Sequence, residues 1–525
     1  MSRALFKSTS LVGGMTFLSR ILGFIRDMVF ARYFGAGMVM DAFFVAFKIP
    51  NFMRRTFGEG AFSLAFVPVI SEYKTTREHE EVQELVDRVA GTFGLVLFGV
   101  TLVGVIAAPV VVWIFAPGFA NHVNKYDLTV QMLRVTFPYL MFISLIAFAG
   151  GILNTYGKFG VPAFTPVLLN IVMISCAIWL APHLAQPGMA LAWGVFLAGV
   201  VQLIFQLPFL KRLRLLPRPR LAAGHEAVKR IMKLMLPAVF GSSVSQINML
   251  VDTLIASFLV TGSVSWLYYA DRIMEFPLGV FSIALGTVIL PHLAQQFAAK
   301  STRGFSETMD WALRLTTVMV LPAAVGLLTL AGPILATLFN YGAFGTTATR
   351  MSAAALMTYS LGLLSFTLVK VLAPGFYARQ DTRTPVRIGV IAVVANIVLN
   401  LAITIPWAKY GYTAPHAGLA LSTSLAAFIN AGLLYRALRR DGVYQPAPGW
   451  QPLLLRVLIA NLAMGGMLWW GVRGLDQWFA RGALHRGGWL AFWILLAMLV
   501  YFAVLFLSGF RVRHLRSRVP EHGMV

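Results

Sequence analysis

Residues 159–210 contain no Asp, Glu, Lys or Arg. A hydrocarbon core about 30 Å thick is crossed by roughly 20 apolar helical residues, so this run is too long for one crossing and too apolar for a water-facing surface. The stretch from Ala181-Pro182-His183 to Gln186-Pro187-Gly188 supplies a turn between two crossings. Comparable uncharged runs occupy 89–124, 135–157, 276–299, 315–349, 388–408, 410–435 and 487–510. Only 12% of the 525 residues are charged, against about 25% in an ordinary soluble domain. A formal charge of +23 would suggest nucleic acid in a soluble chain, but too little polar surface remains here for that partner. The single cysteine, Cys176, sits in an apolar run and excludes an intrachain disulfide or a cysteine metal cluster.

The runs and their breaks predict an all-α polytopic membrane protein of about fourteen transmembrane helices, the first over 8–32 and the last over 487–509. Arg20, Arg26 and Asp27 interrupt the first apolar segment and no small-residue cleavage site follows, so it is expected as a retained span rather than a removed signal. Lys211, Arg212, Arg214, Arg218, Arg220, Lys229 and Arg230 crowd one connection, while 181–188 and 259–264 carry no such charge. Under the positive-inside rule this alternation places even-numbered connections, and both termini, in the cytoplasm. Arg473, Arg481 and Arg486 dissent, falling in a connection that should lie outside.

The chain also repeats itself. Ser19-Arg20-Ile21 meets Ser245-Gln246-Ile247 at +226, Asp27 meets Asp252 at +225, Pro50 meets Pro277 at +227, and Pro109 and Phe115 meet Pro333 and Phe339 at +224. Matches in one order at a nearly fixed offset imply two pseudo-symmetric six-helix lobes followed by two extra C-terminal helices. The expected organisation is 1–213 as the first lobe, 214–440 as a basic connection and the second lobe, and 441–525 as the last helix pair with a basic tail. Six is even, so both halves enter from the same side, as in transporters built from parallel repeats.

Ionisable residues inside spans are costly and usually face protein or a water-filled cavity. Here they concentrate in three spans: Arg20, Arg26 and Asp27; Asp41, Lys48, Arg54, Arg55 and Glu59; and Asp271, Arg272 and Glu275. At about 100° per residue, Asp41, Lys48, Arg55 and Glu59 project within about 40° of one another, subject to a kink at Pro50. One reading has the arginines snorkel or pair with the acids. The other, favoured by their depth and surplus over acids, has them bind a polyanion, since a guanidinium fork matches phosphate oxygens and stays charged. Lys370 fits snorkelling better. Asp252, with Asp381 and Asn396 as candidate neighbours, could be a hard-cation site or a polar contact between helices, with the contact slightly favoured. The nine histidines show no metal spacing, and no nucleotide loop or nucleophile motif is present.

The blocks Asp41-Ala-Phe-Phe-Val-Ala-Phe-Lys48-Ile-Pro50-Asn51 to Arg54-Arg55, Glu59-Gly60-Ala61-Phe62, Ser19-Arg20 to Arg26-Asp27, Ser263 to Arg272, and Ala373-Pro374-Gly375-Phe376-Tyr377 with Gln380-Asp381 closely resemble the MurJ (MviN) lipid II flippases of bacteria. The resemblance spans essentially the whole chain. It implies the multidrug/oligosaccharidyl-lipid/polysaccharide exporter fold and movement of lipid II, an undecaprenyl-pyrophosphate-linked disaccharide-pentapeptide, from the cytoplasmic to the periplasmic leaflet by alternating access. It implies essential cavity arginines at Arg20, Arg26, Arg54 and Arg272, with Asp41, Glu59, Lys48 and Asn51 beside them. It further implies a tail groove formed with the last helix pair, the inner membrane as location, and membrane lipids and cell-wall synthesis proteins as partners. No cofactor is implied beyond a sodium ion at Asp252 and Asp381, where Tyr377 stands in place of a smaller polar ligand.

Three competitors remain. A cation-coupled exporter of drugs, or of another polyprenyl-linked glycan, would share the fold, but a drug exporter should carry an acidic or neutral cavity. A polytopic enzyme acting on lipid-linked sugars should add paired carboxylates or a His/Asp pair at a leaflet-facing loop. A cell-wall scaffold needs no buried charge.

Overall fold

The computed structural model describes residues 3–55, 62–221, 224–244, 247–472 and 474–511, with backbone alone at 3–9, 64, 236–249 and 281–288. Every regular element among the described residues is helical, as hydrocarbon demands: only a helix or a closed barrel satisfies its own backbone there. Contacts divide these residues into two compact units, one reaching Ser265 and including Tyr341–Phe344, the other comprising Trp266–Asn340 and the residues from Gly345 onward.

The first unit contains α1 (Arg3–Phe34), α2 (Met38–Met53), α3 (Ser63–Thr76), α4 (His79–Ile106), α5 (Ala108–Phe115), α6 (Val123–Thr136), α7 (Tyr139–Thr155), α8 (Gly160–Ser175), α9 (Met189–Arg212), α10 (Glu226–Val244) and α11 (Ile247–Ser257). Prolines set several of its breaks. The helix expected over 86–115 divides at Ala107 because Pro109 lacks the N–H that a continuous helix would need, while a first turn tolerates it. The helix expected over 128–155 divides at Phe137-Pro138 for the same reason. Helix α3 was absent from the expected set, although Phe62, Phe66, Val69 and Ile70 recur at helical spacing and are all buried. Phe62 stacks on Phe93 at 4.2 Å and on Phe66 at 5.1 Å, joining α3 to α4.

The second unit contains most of α12 (Ser263–Ala298), then α13 (Thr302–Leu338), α14 (Thr346–Tyr377), α15 (Arg383–Leu399), α16 (Ile405–Lys409), α17 (His416–Arg440), α18 (Trp450–Gly471), α19 (Leu475–Phe479) and α20 (Ala483–Leu507). Phe305, Met309 and Leu313 of α13 share a core with Leu372 and Phe376 of α14 and Leu434 and Leu438 of α17.

The duplication is visible in local geometry. A π-helical turn follows α8 at Cys176–Leu180 and another follows α15 at Asn400–Thr404, 224 residues later. Such turns are rare and often mark functional sites, and these two stand at the repeat offset.

Ten helical stretches among the described residues are long and apolar enough to cross a membrane. The four expected spans outside this set are the first, second, seventh and eighth, and they carry Arg20, Arg26, Asp27, Asp41, Lys48, Arg54, Asp252, Asp271, Arg272 and Glu275.

The dissenting arginines of the last connection have local work. Arg473 lies outside the described residues. Arg481 sits over the Trp478 and Trp489 rings at 5.7 and 4.8 Å. Arg486, 7% exposed, donates to the carbonyl oxygens of Ala336 (2.9 Å), Asn340 (3.3 Å), Arg481 (2.8 Å) and Phe479 (2.9 Å). It satisfies carbonyls at the end of α13 that have no partner within the helix, and the favourable dipole adds to the contact.

One polar hub fixes the last helix pair to its unit. Asp310 of α13 accepts from the Tyr444 hydroxyl (2.8 Å), the Trp450 indole (2.7 Å), the Ala447 amide (3.2 Å) and Arg314 (2.6 Å). Arg314 in turn donates to the Ala447 and Pro448 carbonyls. Burial, reinforced by the adjacent carboxylate, pushes the Tyr444 hydroxyl far above its ordinary titration range, so it remains a donor. Replacing Asp310 with alanine strands these donors and should cost about 1–3 kcal/mol locally. Hydrogen exchange at 444–455 should accelerate by roughly 5–150-fold, a direct conversion of that energy.

Candidate functional site

The helices that carry membrane charge hold it in two different ways. Arg26 is 8% exposed and Asp27 is fully buried. Arg26 Nε and Nη2 donate to Asp27 Oδ1 at 3.0 and 2.7 Å, and Nη1 donates to Asn170 Oδ1 at 3.2 Å. The guanidinium also lies 5.6 Å from the centre of the Phe30 ring. Asn170 returns two bonds, to the Ser19 and Pro166 carbonyls, both at 3.0 Å. This knot ties α1 to α8 and fixes the orientation of Arg26. Arg20, nearly two turns earlier on α1, is exposed and flanked by exposed Phe17, Leu18 and Ile21.

Helix α2 contributes the second group. Pro50 lies inside it, and its α-helical hydrogen bonding gives way after Met53 to a wider turn that carries Arg54 and Arg55. Arg54 Nε donates to Asn51 Oδ1 at 2.9 Å, so the two expected site residues meet on one turn. Arg55 is exposed. Lys48 Nζ donates to Thr253 Oγ1 at 3.0 Å, and Asp252, half-buried on α11, is its neighbour in sequence. Glu59 lies outside the described residues. Beside this turn is a pocket of about 590 Å³ lined only by apolar groups, including Ile49, Phe52, Met53, Val103 and Phe137.

Asp41 stands apart from the arginines. Its carboxylate is wholly buried and accepts from Lys125 Nζ (2.7 Å), the Gly262 amide (2.7 Å), the Ser265 amide (2.9 Å) and the Ser265 hydroxyl (2.6 Å). Four donors, one of them cationic, saturate the acceptor sites of a carboxylate and compensate its removal from water. Lys125 is 2% exposed and lies 4.0 Å from the Phe119 ring centre. Near this clasp, the Gly118 amide donates to Ser257 Oγ at 3.0 Å. A Cβ at Gly118 would fall 2.4 Å from the Ser257 carbonyl, so glycine is needed for that approach.

In the second unit, Arg272 Nη1 pairs with Glu275 Oε2 at 3.1 Å across one turn of α12, and both groups keep contact with solvent. Lys370 is exposed on α14. Asp381 lies in the short connection before α15 and accepts the Thr384 amide at 3.0 Å. Its bonds to Thr384 hold the carboxyl below the usual carboxylate range. A group with a lowered folded pKa contributes above its unfolded value and loses that contribution as pH falls through the folded one. Protection of the Thr384 amide should therefore persist from pH 7 to 5 and disappear only below about pH 3.9, the ordinary value for Asp, as followed by amide exchange in NMR.

Asp252 and Asp381 belong to different units, and no group of three or more His, Cys, Asp or Glu with metal-holding geometry occurs among the described residues. The residues that sequence reasoning missed are Lys125, Asn170, Thr253 and Ser265. Lys125 had a readable signal, the one Lys or Arg in the connection 116–127, where Asp127 is the other charge, and Asn170 another, an amide inside an apolar run.

The family model described as Lipid II flippase MurJ matches residues 30–486. The chain belongs to the MurJ family. A probable lipid II flippase MurJ of Vibrio cholerae is 47% identical over 524 residues, covering 98% of each chain. The lipid II flippase MurJ of Burkholderia cenocepacia is 41% identical over 519 residues, 98% of this chain and 99% of its own. A solved MurJ structure in an inward closed conformation aligns with a TM-score of 0.79 at 28% identity, covering 96% of this chain and 99% of its own. An inward-facing MATE multidrug transporter of the MOP superfamily aligns at 0.62 and 16% identity, over 84% and 99% respectively. At that identity the likeness is one of fold alone. MurJ membership and the apolar helices together make this a multi-pass membrane protein, and the drug-exporter, enzyme and scaffold readings are not favoured.

Proposed function

We propose that this protein flips lipid II from the cytoplasmic to the periplasmic leaflet of the bacterial inner membrane by alternating access, with both termini in the cytoplasm. The observation that carries the reading is the set of guanidinium groups on helices of a MurJ family member that are otherwise membrane-embedded. Arg20, Arg26 and Arg54 bind the pyrophosphate, and Arg272 acts on the same substrate. Forked, permanently charged donors suit phosphate oxygens, and reduced access to water strengthens each contact. Asn51 orients Arg54, and Asn170 orients Arg26. Asp41 is a positioning residue that acts through the frame it clasps, while Lys48 and Glu59 complete the charge balance. Helices α18 and α20 hold part of the polyprenyl chain, and cell-wall synthesis proteins take up the delivered lipid.

A sodium ion is a secondary element of the proposal. Asp252 is the residue with a carboxylate at membrane depth, whereas Asp381 already caps a helix, so Asp252→Asn should abolish any sodium dependence and Asp381→Asn should leave most of it.

Complementation tests the reading. In cells depleted of their own lipid II flippase, the intact chain should restore growth, and alanine at Arg20, Arg26, Arg54 or Arg272 should not, at equal membrane abundance. Growth supported by all four variants would make these arginines structural.

A further inference from the structure

The connection after α9 is strongly basic, and positive charge there would need only a loose tether. It is not loose. Gln83, Asp87 and Gly91 recur at i, i+4 and i+8 along α4, which places them on one helix face, and the connecting chain runs along that face. Gln83 Nε2 donates to the Leu216 carbonyl at 3.1 Å. The Asp87 carboxylate, 3% exposed, accepts the Arg218 amide at 2.8 Å, and the Asp87 carbonyl accepts the Arg220 amide at 3.0 Å. A Cβ at Gly91 would fall 2.3 Å from the Arg220 carbonyl oxygen, so only glycine lets the chain lie this close. Leu215 is fully buried in the adjacent core. Arg214 takes φ of +55°, a left-handed conformation that costs a non-glycine residue energy. Pro217 and Pro219 alternate with Arg218 and Arg220 and stiffen the strip further.

The backbone faces inward and the charge outward. Lys211, Arg212, Arg214, Arg218 and Arg220 are all exposed, residues 211–221 contain no acid, and none of the five pairs with a carboxylate among the described residues. Nearby acids are used elsewhere: Glu84 with Arg88, Glu81 with Arg77, and Glu72 with Arg230. Leu216 stands exposed between the cations, and Leu221 is exposed directly after the last of them. The strip starts where α9, a candidate span, ends at Arg212, so it lies at the level of the lipid phosphates. Cations interleaved with exposed leucines, fixed at that depth, match an interfacial surface in which leucines enter the acyl boundary while guanidinium groups meet phosphate.

We propose that residues 211–221, held by Gln83, Asp87 and Gly91, form a binding strip for the headgroups of anionic phospholipids in the leaflet they face. The strip does not depend on the identity of the transported lipid. The test uses the full chain in nanodiscs containing phosphatidylcholine and phosphatidylglycerol, with co-retained lipid measured by native mass spectrometry. The R214Q/R218Q/R220Q variant should lose its preference for phosphatidylglycerol by at least about tenfold, since each basic residue near an anionic surface favours it about fivefold. The R439Q/R440Q variant, which removes exposed arginines from the end of another span, should lose clearly less of the preference. Asp87→Ala keeps all five charges but releases the backbone, so it should reduce the preference too. Unchanged preference in the triple variant, or an equal loss in R439Q/R440Q, would overturn the proposal, and unchanged preference in Asp87→Ala would overturn the ordered strip.

Discussion

Replacing Arg26 with alanine is expected to weaken lipid II binding by about 2–5 kcal/mol, the cost of removing one partner from a desolvated charged contact, and also to destabilise the first unit. The second effect arises because Asp27, fully buried, loses the cation 2.7 Å away, and Asn170 loses a donor to its oxygen. Arg20 separates the two effects. It is exposed on the same helix, so Arg20→Ala should impair binding with little change in thermal unfolding. Lysine at either position keeps the charge but loses the fork, and an intermediate defect is expected. Calorimetric or mass-spectrometric binding, paired with thermal unfolding in detergent, reads both quantities. Normal lipid II binding by Arg20→Ala and Arg26→Lys alike would remove these residues from the site.

The clasp around Asp41 should show the largest effect on folding. Removing one partner of a buried ion pair typically costs about 3–5 kcal/mol, and the two halves of this pair are not equivalent. Asp41→Ala leaves the Lys125 ammonium buried beside Phe119 and three further donors without their acceptor. Lys125→Met leaves the carboxylate with the Gly262 and Ser265 amides and the Ser265 hydroxyl, and an apolar side chain of similar length fills the space. Asp41→Ala should therefore be the more destabilising, and the double variant should cost clearly less than the sum of the singles. Additive losses in thermal unfolding would show that the pair is not coupled.

The architecture was readable because hydrocarbon imposes a simple rule on composition. Uncharged runs became helices, and the +224 offset reappears as paired π turns at Cys176–Leu180 and Asn400–Thr404. The turns themselves had no sequence signal, since a one-residue change in helical hydrogen bonding leaves the apolar pattern intact. The membrane charges were also visible as an inventory, yet their partners were not. Asp41 and Glu59 project toward one face of an ideal helix, but Asp41 meets Lys125, 84 residues away, because helix rotation and packing decide which side chains touch. Arg26 shows the same limit: its acidic neighbour Asp27 was evident, while Asn170 lay 144 residues distant in a run noted only for being apolar. The surplus of arginine led to the chemistry, and the structure distinguished those held in place from those left exposed.

Translocation of labelled lipid II in vesicles containing only the purified protein tests the central claim most directly. With the label initially in one leaflet, wild-type protein should make it accessible to a membrane-impermeant reagent on the opposite side, and Arg20→Ala, inserted and folded to the same extent, should not. Transfer no faster than in protein-free vesicles, under an imposed membrane potential and sodium gradient, would contradict the assignment of lipid II flipping to this chain.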